Sequence, residues 1–443
     1  MGQNANYKTM KQLTLSILLL ASLSGFAQNP APAGPQTRAI ALTGATIHVG
    51  NGQVINNGVI LFDKGIITAV GDGNTPTNGA EVINVAGKHI YPSIISPAST
   101  VGLQEISAVR ATVDFQETGY INPNIRSLIA YNTDSEVIPT IRNNGLLLTQ
   151  VMPMGGVISG SSSVVQSDAW NWEDAVLKAD DGIWLTWPGY FARSFDFEDF
   201  SVSLKKNEQR QESINALKAT FSDALAYAAL KNPAPKNLKF ESMKGLFDGT
   251  KNLYIRADYG KDIIEAIKFA KQMGIRKPVI VGGEDAGRVI DFLKENNVAV
   301  ILGPMHRLPT LQDEDVYLPY KLPGLLQKAG IAVSLSYDGA YWRTRNLPFQ
   351  AGTAAGFGGI DKEDALKMIT STTAKIMGID NVVGTLEKGK HATLVVSKGD
   401  LLDMRTNVIE HAYIQGRHIN LDDKHKRLYH MYREKYGQPD VGK

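Results

Sequence analysis

Asp338 follows an apolar strand-like run in VSLSYDGA, and Arg256 ends another in NLYIRADYG. Opposite charges at the ends of two such runs can form a charge-assisted pair, which either satisfies buried charge or lines an anion-binding pocket. Beyond Asp338, YWRTRNLPF supplies Arg343 and Arg345, whose guanidinium forks suit a ligand carboxylate and are equally at home on a solvated surface. GPMHRLP carries His306 and Arg307 after a further apolar run. An imidazole there can take a proton, although with no identifiable partner an ordinary loop residue is the plainer reading. The remaining histidines are His48 and His89 near the N-terminus and His391, His411, His418, His425 and His430 near the C-terminus, with none between 90 and 305. The chain has no cysteine, which excludes disulfides, thiol nucleophiles, thiolate metal sites and a lipoprotein anchor. MGGVISGSSSVV offers hydroxyls but no G-x-S-x-G elbow, and GGEDAG lacks the spacing of a phosphate-binding loop.

Positioning these residues takes a large scaffold. At 443 residues, 43% hydrophobic and 20% charged, the chain predicts a folded protein with either one large barrel or two to three domains. From 39 to 91, short β-type runs alternate with Asn-Gly and Asp-Lys-Gly turns. After Pro92 the rhythm becomes strand, loop, helix: SIIS, LLLTQVMP, NLYIRA, PVIVGG, VAVILGP and IAVSLSYD are buried-strand runs, separated in part by amphipathic helical segments. That alternation predicts an α/β fold, a (β/α)8 barrel over 92–380. MGGVISGSSSVV and the aromatic stretch WLTWPGYFARSFDFEDF are expected to be long loops over one face. Short β-runs return over 381–420, so one β-sandwich assembled from both chain ends is expected, followed by a solvated helical tail at 421–443.

Four stretches, GATIHVGNGQVINNGVILFDKGIITAVG, GKHIYPSIIS, NLPFQAGTAAGFG and ALKMITSTTAKIMGIDNVVGTLEKGKHATLVV, together resemble the imidazolonepropionase-like branch of the amidohydrolase superfamily over most of 39–420. The resemblance implies the same barrel plus β-sandwich. It also implies hydrolysis of non-peptide carbon-nitrogen bonds by water activated on a divalent metal such as zinc, with an Asp on the last strand moving the proton. Asp338 matches that Asp. Where the resemblance implies P-G-L-I-D-x-H-x-H, this chain reads PSIISPAST, with Ser96 for the Asp and Ala98 and Thr100 for the two His. Arg256 takes the next His position and Gly282 or Gly283 the one after. A methyl, a hydroxyl and a guanidinium do not replace imidazoles, so no metal cofactor is expected. Three readings follow: a catalytically impaired or inactive member that binds a small anionic or amide-like ligand or a partner; a hydrolase with a rebuilt metal-free site using Asp338; or a structural subunit of a homo- or hetero-oligomer with a related amidohydrolase.

Starting at Met10, KQLTLSILLLASLSGFAQ has the Lys, the short apolar core and the small residues of a secretory signal peptide ending at Ala27. It predicts export across an inner membrane to a periplasm with no stable membrane anchor. A Pro-rich leader at 28–38 has no core to join in this reading. Net charge of +2, spread along the chain, leaves no footprint for nucleic acid.

Overall fold

The computed structural model describes residues 31–195, 202–309 and 314–439. The expected signal peptide lies outside them. Among the described residues no helix is long and apolar enough to cross a membrane.

The N-terminal β-runs form β1 (Ile40–His48), β2 (Val54–Asp63), β3 (Ile66–Gly71), β4 (Glu81–Asn84) and β5 (His89–Pro92). Between β2 and β3 the two-residue turn Lys64 and Gly65 has positive φ at both positions, +47° and +81°, the mirror-image turn whose twist matches the flanking strands. The barrel follows as β6 (Ile94–Ser99), β7 (Leu146–Val151), β8 (Ile158–Gln166) and β9 (Val176–Thr186). After a hairpin, β10 (Phe191–Phe195) and β11 (Val202–Lys206), come β12 (Asn252–Ala257), β13 (Pro278–Gly282), β14 (Ala299–Leu302) and β15 (Val333–Leu335). The chain then returns to the first sheet with β16 (Leu394–Ser397), β17 (Ile409–Ile414) and β18 (Arg417–His418). β16 pairs antiparallel with β5. Both chain ends therefore build one eight-stranded sheet around a core that includes Leu42, Phe62, Ile90, Leu394 and Tyr413.

The second eight-stranded sheet runs in the order β6, β7, β8, β9, β12, β13, β14, β15. It is nearly closed: the backbone N–H of Gly339, just beyond β15, donates to the carbonyl of Ala98 on β6 at 2.8 Å. Along β12 the strand period of two sends Leu253 and Ile255 into the core shared with the helices, and Tyr254 into the lumen with Trp184, Met152 and Ile301. The α/β barrel and the two-ended β module thus stand as the sequence predicts.

Three expectations need correction. Seven barrel strands run in one direction, whereas β8 is antiparallel to both β7 and β9. From Ile158 onward the Gly/Ser segment is that reversed strand and not a loop, and residues 184–186 of the aromatic stretch end β9. Small residues are required there by packing: Gly160 has φ +135°, and a Cβ on it would lie 2.5 Å from the carbonyl oxygen of Ile125 in the segment running alongside. The leader does join the fold from Ala33 onward. The N–H of Ala33 donates to Asp168 at 3.0 Å, its carbonyl accepts from Arg417, and the Gln36 amide bridges Gly65 and Phe62. Ala33 also packs against the barrel core, so the segment docks through one small apolar side chain and through backbone groups that find partners.

Candidate functional site at the barrel mouth

At the C-terminal ends of β12 to β15 the chain leaves a cavity of about 330 Å³. Asp258, Glu284, His306, Arg307, Asp338 and Arg343 supply its polar wall. Three of the sequence-derived candidates, His306, Asp338 and Arg343, therefore meet in one place. Arg256 stands behind Asp338 and forms an ion pair with it through Nη1, while Nη2 donates to the Met152 sulfur at 3.1 Å and the guanidinium lies 5.1 Å from the centre of the Trp184 ring. Arg345 is not brought in: its side chain is exposed and its carbonyl accepts from Asn144 at 2.6 Å.

Asp338 itself has φ +42°, a left-handed backbone that Asp adopts more readily than most residues. Its strand ends at Leu335, and the next residues turn sharply so that the carboxylate reaches Arg256. His306 Nε2 is 2.8 Å from the Thr353 hydroxyl, and burial holds its imidazole below the ordinary histidine range. It therefore stays neutral near pH 7. Arg307 spans Glu284 at 3.7 Å and Glu314 at 3.0 Å.

The positions where the resemblance implies metal ligands have other work. Ala98 is buried against Met152, Trp184 and Tyr254. The Thr100 hydroxyl donates to the Gly339 carbonyl at 2.9 Å and helps hold the seam between the first and last strands. The Ser96 hydroxyl is buried without a partner among the described residues. Gly282 has φ +92°, and any side chain on it would collide with the Asp258 carboxylate. Gly283, at φ +65°, forms the next turn. Methyl, hydrogen and guanidinium groups give a divalent ion no lone pair, and the two neutral hydroxyls, of Ser96 and Thr100, do not replace a set of imidazoles, so these residues do not fit a metal centre. Among the described residues no group of three or more His, Cys, Asp or Glu is arranged to hold an ion.

Several residues of the site went unread in the sequence. Asp258 was legible in principle, since it lies two residues after Arg256 and the period of two puts it on the same side. Glu284 sits in GGEDAG, where the glycine spacing draws attention away from the carboxylate. Deeper in the lumen Asp181 is wholly buried and accepts from Ser162 at 2.6 Å, Tyr254 at 2.7 Å and Gln150 at 2.7 Å. Burial pushes its carboxyl above the usual range, and these three donors pull part of the way back. Gln150 Oε1 in turn accepts the Ala98 N–H at 3.2 Å, so the polar chain runs from the buried carboxylate to β6. No pattern in ADDGIWLTW distinguishes Asp181 from the adjacent, partly exposed Asp180; only the pairing of β8 and β9 around it does.

A model of the amidohydrolase family matches residues 188–419. Among solved structures the chain is similar to an amidohydrolase from Thermotoga maritima, with 23% identity and a TM-score of 0.73 over 86% of this chain and 99% of that one. It is also similar to a prolidase complexed with N-methylphosphonate-L-proline, at 14% identity and a TM-score of 0.54, and to a Xaa-Pro dipeptidase with methionine bound in its active site, at 13% and 0.52. In both cases 86% of this chain and 99% of the other are covered. At these identities the likeness shows the fold. No curated protein matches.

Proposed function

Because the chain belongs to the amidohydrolase family, we propose that it is a catalytically impaired or inactive member of that hydrolase family, which binds a small anionic or amide-like ligand at its barrel mouth without a metal ion. The observation that carries this reading is the Arg256 to Asp338 ion pair. It puts a permanently protonated guanidinium beside the last-strand carboxylate, where it repels a cation and leaves that carboxylate already engaged. Arg343, exposed on the cavity wall, suits a ligand carboxylate. His306, as a neutral imidazole, can donate to or accept from an amide.

The reading includes export: the N-terminal KQLTLSILLLASLSGFAQ supports cleavage after Ala27 and residence in a periplasm. One preparation tests both parts. Protein recovered from the periplasmic fraction should begin at Gln28 and carry no stoichiometric zinc, iron or manganese, and a chelator should leave its Tm unchanged. A stoichiometric metal ion, or a chelator-dependent Tm, overturns the metal-free reading.

Two other readings separate from this one by outcome. Hydrolysis of N-acyl amino acids or cyclic amides that disappears in Asp338→Asn favours a rebuilt active site. Co-purification with a second, His-bearing barrel favours a subunit of a hetero-oligomer.

A further inference from the structure

His306 lines more than the mouth cavity. The same side chain lines an open groove of about 460 Å³ between the helix Leu347–Gly358 and the loop at 400–404. Its character is different: Phe349, Phe357, Leu402 and Met404 give it an apolar floor and walls, with the Lys362 to Asp400 ion pair at the rim. Phe357 and Met404, on opposite elements lining the groove, are 49% and 71% exposed, so apolar surface there is open to a ligand.

Two glycines one helical turn apart shape this groove. A side chain at Gly352 would collide with the Leu402 carbonyl, so glycine there lets the loop lie against the helix. At Gly356 a Cβ would meet nothing within 4 Å, so the loop has lifted away and left space. An aromatic row links His306 to the far end of the groove: His306 packs edge-on to Tyr320 at 6.2 Å, and Tyr320 edge-on to Phe357 at 5.2 Å.

We propose that the mouth cavity and this groove form one elongated site for an amphipathic small molecule, with a carboxylate- and amide-bearing head at Arg343 and His306 and an apolar acyl chain running past His306 to Phe357 and Met404. The inference rests on the ligand-binding reading of the mouth and adds to it the chemical class of the ligand. A charged head alone would leave the apolar groove wetted, and an apolar ligand alone would cover the Arg343 guanidinium without an anion to meet it; a molecule with both ends suits both compartments.

The test uses N-acylglycines from acetyl to octanoyl, titrated into the full mature protein by calorimetry and ligand-observed NMR. Each added methylene buried in the groove is expected to tighten binding by up to about fourfold until the groove is filled. Gly356→Leu places its side chain in the open space and should erase that chain-length increment. Leucine is the better helix former, so a folding defect is not expected, and an unchanged or raised Tm verifies this. Acetylglycine binding with no gain from longer chains overturns this inference and leaves the mouth reading standing. An increment that survives in Gly356→Leu also overturns it. No binding by any member of the series removes both.

Discussion

Arg256 is held by three different neighbours: the Asp338 carboxylate, the Met152 sulfur and the Trp184 ring. Both partners of the ion pair are mostly shielded, with 18% and 27% of their side chains exposed. Removing one charge from such a pair strands the other, a cost that reaches 3–5 kcal/mol for fully buried pairs. Partial solvent contact reduces it here, so Arg256→Met is expected to lower the unfolding free energy by about 2 kcal/mol in urea titrations. Replacing Asp338 with Asn in the same protein should recover much of that loss, because no unpaired charge is then left. A double variant as unstable as the sum of its singles contradicts the pairing. At this scale much was legible: Arg256, His306, Asp338 and Arg343 are named by their positions after apolar runs, and they converge. Arg345 stays outside because it lies two residues after Arg343 on the 3-10 helix Tyr341–Asn346, where residues two apart face different sides.

Among the elements, β8 is the most informative. Its composition, ISGSSSVVQ, has the look of a loop because glycine and serine are poor strand formers in isolation. It becomes a strand because β7 and β9 pair with it on both sides, and its small residues let neighbouring backbone approach. Gly160→Ala must place a methyl against the Ile125 carbonyl at a φ that an L-residue avoids. The expected cost is at least about 2 kcal/mol, read as a lowered Tm with an altered near-UV signal from Trp184 and the surrounding lumen. A variant as stable as the parent would mean that the flanking segment at 121–126 is free to move away. Strands with β-branched, apolar sequences, such as β12 to β14, were readable from composition, since their own side chains supply the burial that stabilises them.

For the whole molecule, five histidines, His89, His306, His391, His411 and His418, are held below the ordinary value of about 6.5, in each case chiefly by burial. The unfolded chain therefore binds protons that the native one refuses. Stability from these sites is fully present above about pH 6.5 and is lost as pH falls through the depressed native values. At His89 the hydrogen bond with His48, 3.0 Å between ring nitrogens, needs one unprotonated acceptor and works in the same direction. Tm should fall steadily from pH 7 to pH 5 at constant ionic strength, and His89→Gln should make the fall less steep. A flat profile would show that these imidazoles protonate in place at no cost.

The sequence by itself determined the alternation of buried strands and helices, the return of the β-module at the C-terminus, and which side chains stand at the strand ends. Those depend on local period and residue type, and the absence of any histidine between 90 and 305 holds in every register. Only the tertiary structure decided what those side chains do. The reversal of β8, the burial of Asp181 among three donors, the closure of the seam through Thr100 and Gly339, and the placing of His306 in the walls of both a polar cavity and an apolar groove all depend on residues far apart in the chain. Such contacts follow from the packing of whole strands and helices, and no window of local sequence contains both partners.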